Sequence, residues 1–384
     1  MTNDAAKAVA RREKKKHMNN LSQLTVYLAM LIQSPLKRLV PTRQCQNLPM
    51  YTFFPRRISF IALLVGLLAM TLPAMTSAQT KTLLRISSPA VPQDWHAKMW
   101  NVFKEQLDKT APGEFDVQIY LNSSLFKQAA ETTAMARGNL ELSTVSAADL
   151  SRQIPYFSVF TAGYVIRDVP HQQKVFNGPI GEEGFRQVSE RMGIKVLATA
   201  YLGTRQLLLR EPRTVKTPAD LKGLKLRMPA AKEWLMLGES LGATATPLAF
   251  GEVYMGLKTG TIDAQDNPLS TVRAARFYEV SQQVVLSAHL VDALFIAISQ
   301  KTWNALTPTQ QSKITQAAQA AARYNNDNRL QEESQLLDFL KQQGLRITTP
   351  DLSAFRQHVT NSYRSSEMGK SWPAGLLERI QAVR

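Results

Sequence analysis

From Leu83 onward the chain alternates two kinds of hydrophobic spacing. Leu83 to Ser87 is a short apolar run of strand length, and Phe115, Val117, Ile119 and Leu121 alternate strictly with polar residues. The second pattern is the period of a strand with one buried face. Between them Trp95, Met99, Phe103 and Leu107 recur every fourth residue, which predicts a helix over 94–107 with one apolar face. Ser123 or Ser124 can cap a further helix running to about Arg137, where Gly138 stops it, and Leu140 to Val145 returns to a strand. This order at short spacing predicts an α/β fold with a mainly parallel sheet covered by helices.

The rhythm persists along the chain. A helix over Glu182–Met192 leads to a strand over Ile194–Tyr201, and strands near Gln206–Leu209 and Leu224–Met228 bracket a short helix opened by Thr217-Pro218-Ala219-Asp220. There the Thr can cap, the Pro takes the first helical position where no amide hydrogen is needed, and the Asp faces the positive end of the helix dipole. Thr307-Pro308-Thr309-Gln310 repeats the device and opens a helical stretch through about Gln342. Phe250, Val253, Tyr254 and Leu257 mark an amphipathic helix ended by Gly260, and Thr349-Pro350-Asp351 opens the last helical region. No Gly-, Ser- or Pro-rich linker divides this part of the chain, which has the length of two ordinary domains. The expectation is a hinged pair that shares strands.

The N-terminal part reads differently. Arg56 and Arg57 precede an apolar run from Ile58 to Met70, followed by small residues ending in Thr76-Ser77-Ala78, so residues 50–78 have the layout of an export signal cleaved after Ala78. The run is too short for a bilayer span of roughly 20 residues. Residues 1–49 show no clear periodicity; translation is expected to begin at Met50, leaving 1–49 as a mis-assigned start or a disordered extension. The chain of 384 residues carries a net charge of +16, but its first 78 residues hold 11 Lys and Arg against two acids, and the remainder is only +7. A nucleic-acid-binding role therefore loses most of its electrostatic support. With 44% apolar residues and a mean hydropathy of -0.19, neither a disordered chain nor a polytopic membrane protein fits. The one cysteine, Cys45, falls in the doubtful stretch, so the exported chain has no thiol chemistry.

Catalytic and metal signatures are missing. His96, His171, His289 and His358 are scattered without metal-ligand spacing, and no cofactor or metal is expected. Ser124-Leu-Phe-Lys127 matches S-x-x-K and Lys258-Thr-Gly260 matches K-T-G, two of the three motifs of a serine acyl enzyme. The middle motif is missing, and the second lies at the end of an amphipathic helix rather than on a strand. An enzyme using Ser124 and Lys127 is the alternative reading.

Five segments together carry a more specific likeness: Tyr201-Leu-Gly-Thr-Arg205-Gln206; Leu221-Lys-Gly-Leu-Lys-Leu-Arg227-Met-Pro229; Pro247-Leu-Ala-Phe250-Gly-Glu252-Val-Tyr254; Asp263-Ala-Gln-Asp-Asn267-Pro268; and Phe277-Tyr-Glu-Val280. From about Leu83 to about Thr348 the chain resembles the DctP-type substrate-binding proteins of tripartite ATP-independent periplasmic (TRAP) transporters. The resemblance implies a two-lobed periplasmic binding fold with a hinge and a long C-terminal helix spanning both lobes. One lobe would comprise 79–202 plus 293–332, the other 203–292 plus 333–384. It implies capture of a small organic acid, such as a dicarboxylate, keto acid or sugar acid, and docking onto the small and large subunits of a sodium-coupled permease. A sensor-only module would share the fold and pocket.

By the same resemblance Arg227 pairs with the ligand carboxylate, Arg205 assists, Asn267 hydrogen-bonds the carboxylate region and Phe250 packs on the ligand. The chemistry of Arg227 agrees independently, because a guanidinium offers a planar, permanently charged fork matched to a carboxylate. Arg205 can also brace the pocket without touching ligand, and Asn267 between Asp266 and Pro268 also suits a turn. Three segments depart from the pattern. Ala264 replaces a common Gly. Ser146 and Asp149 stand where sialic-acid-binding members carry Glu and Arg, which speaks against sialic acid. The first strand-to-helix loop, Ser87-Ser88-Pro89, lacks the frequent Asn, leaving Ser88 as its polar contact and Trp95-His96 as a flat wall.

Overall fold

The computed structural model describes residues 80–384. Within them nine strands form one sheet: β1 (Thr82–Ser87), β2 (Phe115–Tyr120), β3 (Leu142–Ser146), β4 (Ile194–Leu209), β5 (Lys225–Met228), β6 (Thr244–Pro247), β7 (Ala264–Pro268), β8 (Gln283–Ser299) and β9 (Arg346–Thr348). Their order is β2-β1-β3-β8-β4-β7-β5-β6, with β9 beside β8. The flanks β2-β1-β3 and β7-β5-β6 are parallel, as the alternating sequence predicts. The middle is not. β4 and β8 run antiparallel over nearly their whole lengths, β3 joins β8 at Leu294–Ile298, and β7 joins β4 at Arg205–Leu209. The sheet is therefore mixed, and each flank hangs on one end of the same long central pair.

The two strands predicted around Ile194–Tyr201 and Gln206–Leu209 are one 16-residue strand, β4. What looks like a break in the sequence is a run of register shifts, one of them between Tyr201 and Gly203. Gly203 has φ +125°, and a Cβ there would lie 2.4 Å from Pro268 Cβ, so no side chain fits. The shift leaves backbone groups of β4 without a ladder partner, and the helix Pro308–Gln342 supplies substitutes. Asn326 Oδ1 accepts from Tyr201 N at 2.7 Å, Asn325 Nδ2 donates to Tyr201 O at 2.8 Å and Arg329 Nη1 donates to Leu202 O at 2.8 Å.

That helix begins at the Thr307-Pro308 signal, with the Thr307 hydroxyl accepting from Gln310 N. At about 1.5 Å per residue its 35 residues extend about 52 Å. Near its start Ile314, Ala317, Ala318 and Ala321 pack on Trp100 and Phe103 of the helix Trp95–Thr110, the small side chains allowing close approach. Near its end Leu340 joins Leu208, Leu257 and Val284 in a separate core. One helix thus ties both flanks. The C-terminal helix Leu376–Ala382 folds back on Val169–Met192, where His171 Nε2 lies 2.8 Å from Ile380 O and Arg379 pairs with Glu183 at 2.7 Å.

One helix start differs from expectation. The helix after β2 is Ala130–Ala136, entered through Ala129 at φ +73°, rather than starting at Ser123 or Ser124. Asn122 and Ser123 themselves adopt positive φ, away from the extended backbone of a side-chain-capping Ser. The export-signal reading of 50–78, the reading of 1–49 and Cys45 lie outside the described residues. No helix among the described residues is long and apolar enough to cross a membrane.

Candidate ligand-binding site

The segments that follow β1, β2 and β3 face those that follow β5 and β6 across a cavity of about 140 Å³. One wall carries Ser88, His96, Gln128 and Glu131; the other carries Arg205, Arg227, Trp234, Phe250 and Asn267. All five residues singled out in the sequence, Arg227, Arg205, Asn267, Phe250 and Ser88, therefore line one space. Arg227 projects from β5, which lies between β7 and the edge strand β6. Arg205 comes from β4 and Asn267 from β7, which pairs antiparallel with β4 and places Asn267 opposite Gln206. Phe250 opens the single turn Phe250–Glu252 after β6, and Ser88 directly follows β1.

The two arginines have different surroundings. Arg205 is 4% exposed and held on several sides. Its Nε donates to Asp292 Oδ2 at 2.7 Å, and its Nη1 donates to Asp266 O at 3.0 Å and lies 3.4 Å from Asp266 Oδ1. Its guanidinium also stacks 4.4 Å from the Trp234 ring, a cation–π contact. Burial works against the charge of Arg205, but the two aspartates outweigh it and hold the pKa above its ordinary value. Burial likewise pushes Asp266 up, and Arg205, with His289 3.1 Å away, more than reverses this.

Arg227 is 1% exposed. Its Nε donates to Leu248 O at 2.9 Å and its Nη2 to Gln128 Oε1 at 3.2 Å. Among the described residues Nη1 has no hydrogen-bond partner and no carboxylate lies within ion-pairing distance. Burial pushes this guanidinium down to about 9, with Asp266 opposing the shift and Arg205 adding to it. It stays charged at neutral pH, so the fold holds a desolvated cation beside a cavity without supplying its counter-ion, which costs several kcal/mol (roughly).

β7 reads Ala-Gln-Asp-Asn-Pro, polar and suited to a turn, yet it is a fully buried strand between β4 and β5. Pairing explains the burial. Asp266 meets Arg205 and His289, and Asn267 donates through Nδ2 to Gln265 Oε1 at 2.5 Å while its Oδ1 lies 3.4 Å from Arg205 Nη1. Asn267 is thus a strand residue, not a turn residue.

Several contributors carried no signal in the sequence. Gln128 sits in an irregular loop, and its Oε1 accepts from Arg227 Nη2 and, at 2.9 Å, from Phe250 N, bridging the two walls. Glu131 is 3% exposed with Oε1 unpartnered among the described residues; burial, with Asp149 adding, pushes its carboxyl up to about 8. Ser146 and Asp149 are occupied with each other: they form a capping box on the helix Ala147–Ser151, with Ser146 Oγ 2.7 Å from Asp149 Oδ2. Ser124 and Lys127 are exposed, lie in irregular chain and do not line the cavity, while Lys258-Thr259 ends a helix at Gly260.

A mixed sheet hung on two crossing strands, with a buried cation at the cleft, defines a two-lobed binding protein of the α/β type. The chain belongs to the family described as bacterial extracellular solute-binding protein, family 7 (DctP), whose profile matches residues 87–369. Its relatives include the sialic acid-binding periplasmic protein SiaP of Vibrio cholerae, 28% identical over 314 residues that cover 82% of this chain and 97% of SiaP. The 2,3-diketo-L-gulonate-binding periplasmic protein YiaO of Escherichia coli is 28% identical over 333 residues, 86% of this chain and 99% of YiaO. Among solved structures, a TRAP periplasmic solute-binding protein of Roseobacter denitrificans with bound 3-deoxy-D-manno-oct-2-ulosonic acid is 44% identical. It superimposes with a TM-score of 0.76 over 79% of this chain and all of that one. The family is periplasmic and its members are substrate-binding proteins.

Proposed function

We propose that this protein captures a small organic acid of the sugar-acid class outside the cytoplasm and delivers it to a sodium-coupled TRAP permease. The observation that carries this reading is Arg227, a buried guanidinium at the cavity with no carboxylate partner among the described residues. A ligand carboxylate supplies the missing charge, and the fork binds it through two parallel hydrogen bonds. Arg205, already balanced by two aspartates, orients the site and adds field; Asn267 and Ser88 complete the polar contacts, and Phe250 covers the ligand's carbon skeleton. Closure follows from contacts that exist only when both walls meet, of which the Gln128 bridge is one.

The lobes in this reading are 79–202 plus 293–332 and 203–292 plus 333–384, hinged where β4 and β8 cross. The segment 50–78 acts as the export signal. Support for a sugar acid comes from the 44% identical neighbour, which holds an eight-carbon ulosonic acid, and from a relative described as binding 2,3-diketo-L-gulonate. Isothermal titration of the exported protein with 3-deoxy-D-manno-oct-2-ulosonic acid, L-galactonate and succinate tests this. Binding of at least one sugar acid in preference to succinate is expected; preference for succinate contradicts the ligand class. Co-reconstitution with the small and large subunits of a TRAP permease should give sodium-dependent uptake, and its absence contradicts the delivery step.

A further inference from the structure

A buried polar cluster stands behind the wall that carries Ser88 and Glu131. Asp94 caps the helix Trp95–Thr110 by accepting from His96 N at 2.9 Å, and its other oxygen accepts from Thr271 Oγ1 at 3.1 Å. Arg329 reaches into this cluster from the long helix and is fully buried. It donates through Nη1 to Leu202 O and Ser270 Oγ, and through Nη2 to Asp94 Oδ1 and to His96 Nδ1, the last at 2.8 Å.

The protonation of His96 follows from that last contact. A guanidinium has donors only. The nitrogen facing it must present a lone pair, so the proton of the neutral ring sits on Nε2. Adding a second proton would set an N–H against the N–H of Arg329, and burial together with that cation pushes His96 down to about 3. His96 is 2% exposed and lines the cavity, yet its Nε2 has no partner among the described residues. A buried N–H left unpaired costs roughly as much as a lost hydrogen bond, so a fold that fixes one beside a ligand cavity has a use for it.

We propose that His96, fixed by Arg329 as the Nε2–H tautomer, donates a hydrogen bond to an uncharged oxygen of the captured acid, a hydroxyl or ring oxygen, from the wall that does not carry Arg227. The same wall holds the carboxyl groups of Asp94, Glu131 and Asp149, and among its cavity-lining residues only Arg152 offers an opposing cation. Asp94 is already paired with Arg329, and the raised pKa of Glu131 keeps its carboxyl largely protonated at neutral pH, so a ligand hydroxyl meets neutral partners on this wall, a donor in His96 and a carboxyl in Glu131. The inference deepens the sugar-acid reading and rests on it. Arg329 is a positioning residue: it acts through the ring and need not touch the ligand.

Nitrogen-15 NMR of histidine-labelled protein tests the tautomer without any ligand. His96 should read as neutral and protonated at Nε2 from pH 5 to pH 8; a proton on Nδ1, or titration near the ordinary histidine value, overturns the inference whatever the ligand. Titration with 3-deoxy-D-manno-oct-2-ulosonic acid tests the contact. His96→Asn keeps an acceptor near the Nδ1 position for Arg329 and removes the distal donor, so it should retain the thermal midpoint and bind about tenfold more weakly. Unchanged affinity in a folded His96→Asn variant overturns the inference while leaving capture by Arg227 intact. If that variant fails to fold, the wild-type Nε2 resonance decides: it should shift when the acid is added, and no shift overturns the contact. Failure of the wild type to bind this acid or L-galactonate, with tight binding of succinate, instead overturns the sugar-acid reading itself, and the tautomer result still stands apart.

Discussion

Arg205 and Arg227 face the same cavity, are equally removed from water and differ in what the fold places against them. Arg205 meets Asp292 and Asp266 and stacks on Trp234, while Arg227 is given two neutral acceptors, Leu248 O and Gln128 Oε1. A buried charge that is already balanced holds a structure in place; a buried charge left unbalanced at a cavity holds a place for something else. In the proposed reading the pair therefore separates scaffold from ligand contact within one wall, although both are arginines in strands.

Removing each one should have opposite consequences. Arg205→Ala leaves Asp266 and Asp292 buried without their cation and should lower unfolding free energy by about 3–5 kcal/mol, measured by urea denaturation of the unliganded protein. A loss below about 1 kcal/mol would erase the distinction. Arg227→Ala removes a cation that has no counter-ion, so apo stability should stay level or rise, while affinity for a carboxylate ligand falls by about 2–5 kcal/mol in calorimetry. Arg227→Lys should recover little of this, because an ammonium has no planar fork.

Smaller effects test the frame that holds the two residues. Gly203→Ala forces a Cβ onto Pro268 at a backbone angle that side chains avoid, and should cost about 1–3 kcal/mol while loosening the alignment of Arg205 with β7. An unchanged denaturation midpoint would show that the β4 bulge does not depend on this glycine. A further effect concerns pH and sets the two walls against each other. The carboxyl of Glu131 faces Asp149 across the cavity wall, with Asp94, Arg152 and Arg227 among the other charged lining groups. Its pKa is raised by burial from 4.5 to about 8, so the folded state binds the proton more tightly than the unfolded one. Its contribution to stability is complete at low pH and declines as pH rises from about 4.5 to about 8. Asp266 has the opposite sign: its lowered pKa gives stability present above its ordinary value and lost as pH falls through the depressed one. Thermal unfolding across pH 5 to 9 should therefore flatten in Glu131→Gln; an unaltered profile would place the titrating group elsewhere.

Much of the frame could be read in the sequence because local signals carried it. Thr-Pro-x-Gln at 307–310 and Asp351 before the last long helix mark starts that the structure uses, and the four-residue spacing from Met99 to Leu107 lies on a buried face. The readings failed where tertiary partners outweighed local preference. β7 is polar in sequence and buried in the sheet because Arg205 and His289 pair with Asp266 and because Gln265 and Asn267 bond each other. The break in β4 is a bulge patched by Asn325, Asn326 and Arg329 from more than 120 residues away, a contact no local window contains. The site divides in the same manner. Arg227, Arg205, Asn267, Phe250 and Ser88 stand in motif or loop positions and come together at the cavity, whereas Gln128 is a single polar residue in a loop, Glu131 one in the first turn of the helix Ala130–Ala136, and the ring of His96 is oriented by Arg329 from a distant helix.

The most direct test is a crystal structure of the protein with a bound sugar acid. The ligand's carboxylate should lie with both oxygens about 2.7–2.9 Å from the guanidinium nitrogens of Arg227, with Arg205 still paired to Asp266 and Asp292. A carboxylate bound to another cation, with Arg227 left facing neutral groups or water, would contradict the assignment.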